Sequence, residues 1–131
     1  MKKAVDFGFL DFTTLEKRKH YCGEELRLNR RLAPEAYLEV VAIGEDAGGT
    51  LGLGTGKTVD YAVVMKKLPL DRMLKKLLSE GKVPPEAMDA VAEKVAAFHA
   101  AAETGGEIDE CGGIETIRYN HDENFEQTAK Y

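Results

Sequence analysis

The sequence predicts an α+β fold: a strand, a charged helix, an antiparallel meander, then helices only. Three observations carry this expectation. Residues 37–68 alternate β-branched runs with Gly-rich turns. Everything after Pro69 is patterned at helical spacing. The 131 residues are 44% hydrophobic and 31% charged, a balance that suits a globular chain able to bury a core without disulfides.

The first strand is expected at Ala4 to Phe12, AVDFGFLDF, from its aromatic and β-branched content. Thr13 with Glu16 forms a capping-box pattern, so a helix should run from about Thr14 to Leu32. Leu15, Cys22, Leu26 (or Glu25) and Leu32 give it a narrow inward stripe, and Ala33-Pro34 ends it. Strands follow at Tyr37 to Ile43, Thr50 to Leu53 and Val59 to Leu68, separated by Gly-rich turns. Leu70 to Leu78 reads as a helix stopped by Gly81. Pro85 opens a longer helix to about Ala102, with Met88, Val91, Val95, Phe98 and Ala102 inward. Gly105-Gly106 stops it, and Ile114 to Thr128 forms a last helix with Ile114, Ile117 and Phe125 inward. A soft boundary near Pro69 separates a sheet-bearing part, 1–69, from a helical part, 70–131.

Composition excludes several classes. With 18 Lys+Arg against 23 Asp+Glu the net charge is −5, which argues against non-specific nucleic-acid binding. No apolar run approaches the roughly 18–20 residues of a membrane span. Lys2–Lys3 resembles the start of a signal peptide, but Asp6 and Asp11 interrupt its apolar part. Cys22 and Cys111 are far apart and lack a CxxC pair, which fits free thiols in a reducing cytoplasm. The expectation is a cytoplasmic chain with neither a nucleic-acid nor a membrane partner.

Candidate chemistry is sparse. Gly52 to Thr58, GLGTGKT, ends like a phosphate-binding P-loop, but the required glycine five residues before Gly56 is Leu51. Strand formers follow where a helix must open, so a Gly-rich hairpin turn is the better account. His20, His99 and His121 have no second ligand at metal spacing. There is no G-x-S-x-G and no HExxH. The basic face of the first helix (Lys17, Arg18, Lys19, Arg27, Arg30, Arg31) reads as a solvated face balanced by Glu16, Glu24 and Glu25. No catalytic residue and no metal site is expected.

One pattern goes further. Lysines precede a strand, a helix carries Glu24-Glu25, antiparallel strands end in Val63-Val64-Met65-Lys66-Lys67-Leu68-Pro69, and a later helix contains AEKVAAFHA. This order resembles the protein-kinase-like fold of the aminoglycoside phosphotransferase family. The stretch VDFGFLDFTTLEKRKHYCGEELRLNRRLAPEAYL is most similar to a bacterial phosphotransferase-like branch of that family, in places fused to an ATP-binding domain. The resemblance covers most of the chain. It implies a partial kinase-like fold, with an N-lobe part at 1–69 and the helical start of a C-lobe at 70–131.

In such folds a strand lysine holds the nucleotide phosphates and a helix glutamate aims it. The resemblance gives Lys2 or Lys3 the lysine role, with Lys3 retained as the nucleotide contact. It gives Glu24 or Glu25 the glutamate role. Glu25 is preferred because Cys22, Leu28 and Leu32 lie three, three and seven residues away on the inward face. Met65, Lys66, Lys67 and Leu68 become the hinge whose backbone meets adenine. ATP, Mg and a small-molecule acceptor are the implied ligands of the parent family.

The departures are equally specific. No glycine-rich phosphate loop precedes the lysines, and the H-G-D-x-H-x-x-N loop and the later magnesium aspartate are absent. The sequence therefore reads as an internal fragment or an early-terminated product that binds no nucleotide itself. The alternative is a non-catalytic interaction module that homodimerises through exposed apolar faces.

Overall fold

A computed structural model describes residues 3–129, which divide into two compact units, one ending at Lys94 and the other beginning at Val95. Among the described residues the architecture is α+β, with a three-stranded antiparallel sheet and five α-helices.

The first unit begins without the expected strand. Asp6 and Asp11 face each other across a single antiparallel bridge, and residues between them turn rather than extend. The two carboxylates explain this. Asp6 accepts from the Gly8 amide at 2.8 Å, and Asp11 accepts from the Thr13 amide at 2.8 Å and its hydroxyl at 2.6 Å. Short acidic side chains thus offer the backbone a local alternative to a sheet ladder. Gly8, at φ 84°, supplies the left-handed turn between them.

Helix α1 is Leu15–Arg30. Thr13 is engaged by Asp11, so the cap falls one residue later than the pattern predicts. Thr14 is extended and its hydroxyl accepts from the Lys17 amide at 3.2 Å. The Glu16 carboxyl is held below the usual carboxylate range by its own backbone N–H and by the Thr14 hydroxyl. Within α1, a Cβ on Gly23 would meet nothing within 4 Å. Gly23→Ala is therefore expected to stabilise the fold by about 0.5–1 kcal/mol, read by urea denaturation. A loss of stability would contradict the open space around it.

The sheet consists of β1 (Tyr37–Glu45), β2 (Leu51–Leu53) and β3 (Lys57–Met65), in the order β2-β1-β3. Val40, Val41 and Ala42 of β1 face Val63, Ala62 and Tyr61 of β3. The GLGTGKT run is the β2–β3 turn, as its composition predicts: the Gly54 amide donates to the Ala42 carbonyl at 2.8 Å. Gly54 and Gly56 have φ of 69° and 72°. Strand β3 stops at Met65, three residues earlier than expected. Its partner begins at Tyr37, opposite Met65, and beyond that only the Lys66 amide finds a carbonyl, that of Ala36, at 2.8 Å.

Helix α1 packs across β3 and β1. Phe12, Cys22 and Ile43 form the buried apolar core, and Asp60 is buried among them as a polar group. The Phe12 ring meets Tyr21 edge-on, with centroids 5.0 Å apart. Arg30 closes the α1–β1 connection, donating to the Tyr37 carbonyl at 2.8 Å and to the Leu38 carbonyl.

The expected helix at Leu70 to Leu78 is broken. A 3₁₀ turn at Leu70–Arg72 is followed by extended Met73 and then α2, Leu74–Ser79. Leu70, Met73, Leu74 and Leu78 are exposed, so no packed face enforces a continuous helix. Helix α3 is Pro85–Ala100. Its Met88, Val91 and Val95, expected inward, are exposed.

The second unit holds the end of α3, the short α4 (Glu107–Cys111) and α5 (Ile114–Thr128). Helix α4 follows Gly105-Gly106, and its Asp109 accepts from the Gly105 amide at 2.9 Å. Helix α5 has the predicted extent, but Ile114, Ile117 and Phe125 are exposed rather than inward.

Candidate functional site

The most tightly built polar group joins α1 to β3. Arg18 Nε donates to Asp60 Oδ1 at 2.8 Å, and each side chain is only 11% exposed. Arg18 Nη1 donates to the Phe12 carbonyl at 3.1 Å and the Thr13 carbonyl at 3.3 Å, and Nη2 donates to the Val59 carbonyl at 3.3 Å. The guanidinium fork thus ties the entry loop, the helix and the strand together. Nearby, the Tyr61 amide donates to Asp60 Oδ1 at 2.8 Å and the Cys22 thiol donates to the Tyr61 carbonyl at 3.9 Å. Strand β3 is a sheet edge, and these side chains occupy its backbone groups at Val59 and Tyr61.

The helix pattern puts Arg18 on a solvated basic face, whereas the structure turns it in against Asp60. The signal was available: Arg18, Cys22 and Glu25 recur at i, i+4 and i+7, which places them on one helix face. The other basic residues are also engaged. Lys17 pairs with Asp11, Arg27 Nη2 meets Glu24 at 2.7 Å, and Lys19 Nζ lies 5.6 Å from the Tyr61 ring centroid.

The segment leaving β3 lines two clefts. Lys67, Leu68, Pro69, Leu70, Asp71 and Lys76 border an open cleft of about 750 Å³. Lys66 and Leu68 border a second of about 200 Å³ together with Leu32, Ala33 and Ala36, and with Glu35 and Lys94 at its polar rim. Of the four residues to which the resemblance gives a hinge role, Lys66, Lys67 and Leu68 line these clefts. Met65 is the last residue of β3.

The phosphate-side residues are placed differently. Lys3 is exposed and in coil, and the strand expected just after it is replaced by the Asp6–Asp11 turn. Lys2 lies outside the described residues. Glu25 is half-buried on α1, and its backbone carbonyl accepts from Asn29 Nδ2 at 2.8 Å. No group of three His, Cys, Asp or Glu residues able to hold a metal occurs among the described residues. No helix among them is long and apolar enough to cross a membrane. Cys22 is buried and Cys111 exposed.

One carboxylate has a displaced titration. Lys17 and the hydroxyl and amide of Thr13 all donate to Asp11, lowering its pKa from 3.8 to about 2. A depressed folded pKa stabilises the fold above the unfolded value, and that contribution is lost as pH falls through about 2. Carbon-detected NMR of the Asp11 carboxyl should give a midpoint near 2, and Lys17→Ala should move it back toward 3.8. An unchanged midpoint in the variant would contradict the assignment to Lys17.

Compared with known proteins, the chain matches no family model and no solved structure. It is 32% identical over 124 residues to uncharacterized proteins of Mycobacterium bovis and of two strains of Mycobacterium tuberculosis. The match takes in 95% of this chain but 23% of each relative, so the chain spans about a quarter of the length of the curated relatives it matches.

Proposed function

We propose that this chain supplies the base-facing part of an ATP-dependent small-molecule phosphotransferase of kinase-like build, and that it is not catalytic alone. The observation that supports the reading best is the run Lys66-Lys67-Leu68. It leaves an antiparallel sheet backed by one helix and borders a nucleotide-sized cleft. In this reading residues 1–69 correspond to the N-lobe part and 70–131 to the start of the C-lobe. Glu25 aims a lysine, Lys3 or its equivalent, at the phosphates. Mg and the acceptor are then held by parts of the longer polypeptide, in the reducing cytoplasm that two free thiols fit.

The reading is tested by thermal-shift titration with Mg-ATP. The chain alone should show no saturable rise at micromolar nucleotide. The same residues grafted in place of the matched 124 residues of a mycobacterial relative should show one. A saturable rise for the chain alone would contradict its dependence on the rest. No rise in either the graft or the unaltered relative would contradict the phosphotransferase reading.

A second reading, a non-catalytic self-associating module, is favoured by the exposure of Leu70, Met73 and Leu74. It predicts a stable dimer by light scattering, and a monomer with a cooperative melt would contradict it.

A further inference from the structure

We infer that Arg18, Asp60 and Cys22 stand in for a neighbouring strand, and so keep the outer edge of β3 from pairing with β3 of a second copy of this chain. The register shows which backbone groups face that edge. The Ala42 carbonyl accepts from the Gly54 amide, so the backbone groups of Ala42 face β2. Tyr61 lies opposite Ala42, and its own amide and carbonyl therefore face away from β1. Val63, opposite Val40, follows two residues on and faces the same way. Between Thr58 and Asp60 the pairing skips Val59, which leaves its carbonyl outside the ladder. Three of these outward groups are taken by side chains. Arg18 Nη2 donates to the Val59 carbonyl at 3.3 Å, the Tyr61 amide donates to Asp60 Oδ1 at 2.8 Å, and the Cys22 thiol donates to the Tyr61 carbonyl at 3.9 Å. Arg18 Nε also donates to Asp60 Oδ1, at 2.8 Å, so one ion pair fixes two of the three. Cys22 and Asp60 are buried, which keeps water from competing for these bonds.

The strand kept out is that of a second copy, because the edge is complementary to itself. Under a two-fold axis at Tyr61, Val59 of one copy meets Val63 of the other, and Tyr61 meets Tyr61. Asp60 then opposes Ala62 and Lys57 opposes Met65, so no like charges meet. The run Tyr61 to Met65, YAVVM, carries no charge and no proline, the composition of a strand that pairs readily when its edge is bare.

No nucleotide enters the test, so its outcome is independent of the phosphotransferase reading. Arg18→Met with Asp60→Leu removes the guard and leaves no unpaired charge. By light scattering and residue-resolved hydrogen exchange, that variant should double in mass relative to the unmodified chain and protect the Val63 amide at least about tenfold more. Should it fail to fold, Arg18→Lys decides. It keeps a charge beside Asp60 but lacks the fork that reaches Val59, and should pair in the same way, more weakly. Adding Val63→Pro, which removes an outward donor and no ladder bond, should undo the pairing in either variant. The proposal is overturned if the folded variants leave Val63 unprotected, including association through Leu70, Met73 and Leu74 alone. It is equally overturned if Val63→Pro does not release the pairing, or if Val63 of the unmodified chain is already as protected as in the variants.

Discussion

Asp60→Ala is expected to cost about 3 kcal/mol of stability, and Arg18→Ala about 3–5 kcal/mol. Both side chains are 11% exposed and meet at 2.8 Å, so removing either leaves a charge in a poorly hydrated place. The two losses differ because their leftovers differ. Without Asp60, the guanidinium keeps the carbonyls of Phe12, Thr13 and Val59. Without Arg18, the Asp60 carboxylate keeps the Tyr61 amide, and the three carbonyls lose their donor. A domain of this size is stable by about 5–15 kcal/mol, so either change removes a large share. Arg18→Met with Asp60→Leu together should recover much of the loss, because matched apolar groups replace a pair without leaving an orphan. Urea denaturation of the three variants checks this. A loss below about 1 kcal/mol for both single changes would show that the pair is solvated and idle.

Gly44→Ala is the second large effect, expected at about 3 kcal/mol. A Cβ there would collide with the Thr55 backbone carbonyl, and backbone cannot move aside as a flexible side chain can. Gly56→Ala meets the Glu45 backbone in the same way and also sits at φ 72°. Gly54 separates the two causes. It has φ 69° but open space, so Gly54→Ala should cost only the left-handed backbone term of about 1–2 kcal/mol. Equal costs at Gly44 and Gly54 would contradict close packing of the β2–β3 turn on β1.

Much of the fold was legible because it rests on local rules. The three meander strands, the glycine turns and the extents of α1, α3 and α5 follow from propensity, periodicity and stop signals. The errors arose where a local competitor or a missing partner decided. Asp6 and Asp11 bond to nearby amides and replace a strand that the aromatic pattern favoured. The same Asp11 draws off Thr13 and moves the helix cap to Thr14. Ile114, Ile117 and Phe125 were expected inward because an apolar stripe records the need for cover and not where the cover is. Of the candidate site, Lys66, Lys67 and Leu68 were named only through the resemblance, and the strand expected to carry them stops at Met65. The Arg18–Asp60 pair was not, because its members are 42 residues apart and only tertiary packing joins them.

The proposed function requires Glu25 to serve a nucleotide site. The direct measurement is Mg-ATP calorimetry on the relative that carries this chain in place of its matched region, with and without Glu25→Gln. If Glu25 aims a phosphate-holding lysine as proposed, Glu25→Gln should weaken binding at least about tenfold, or about 1.4 kcal/mol. Unchanged affinity in the variant, or the absence of nucleotide binding in the parent graft, would contradict it.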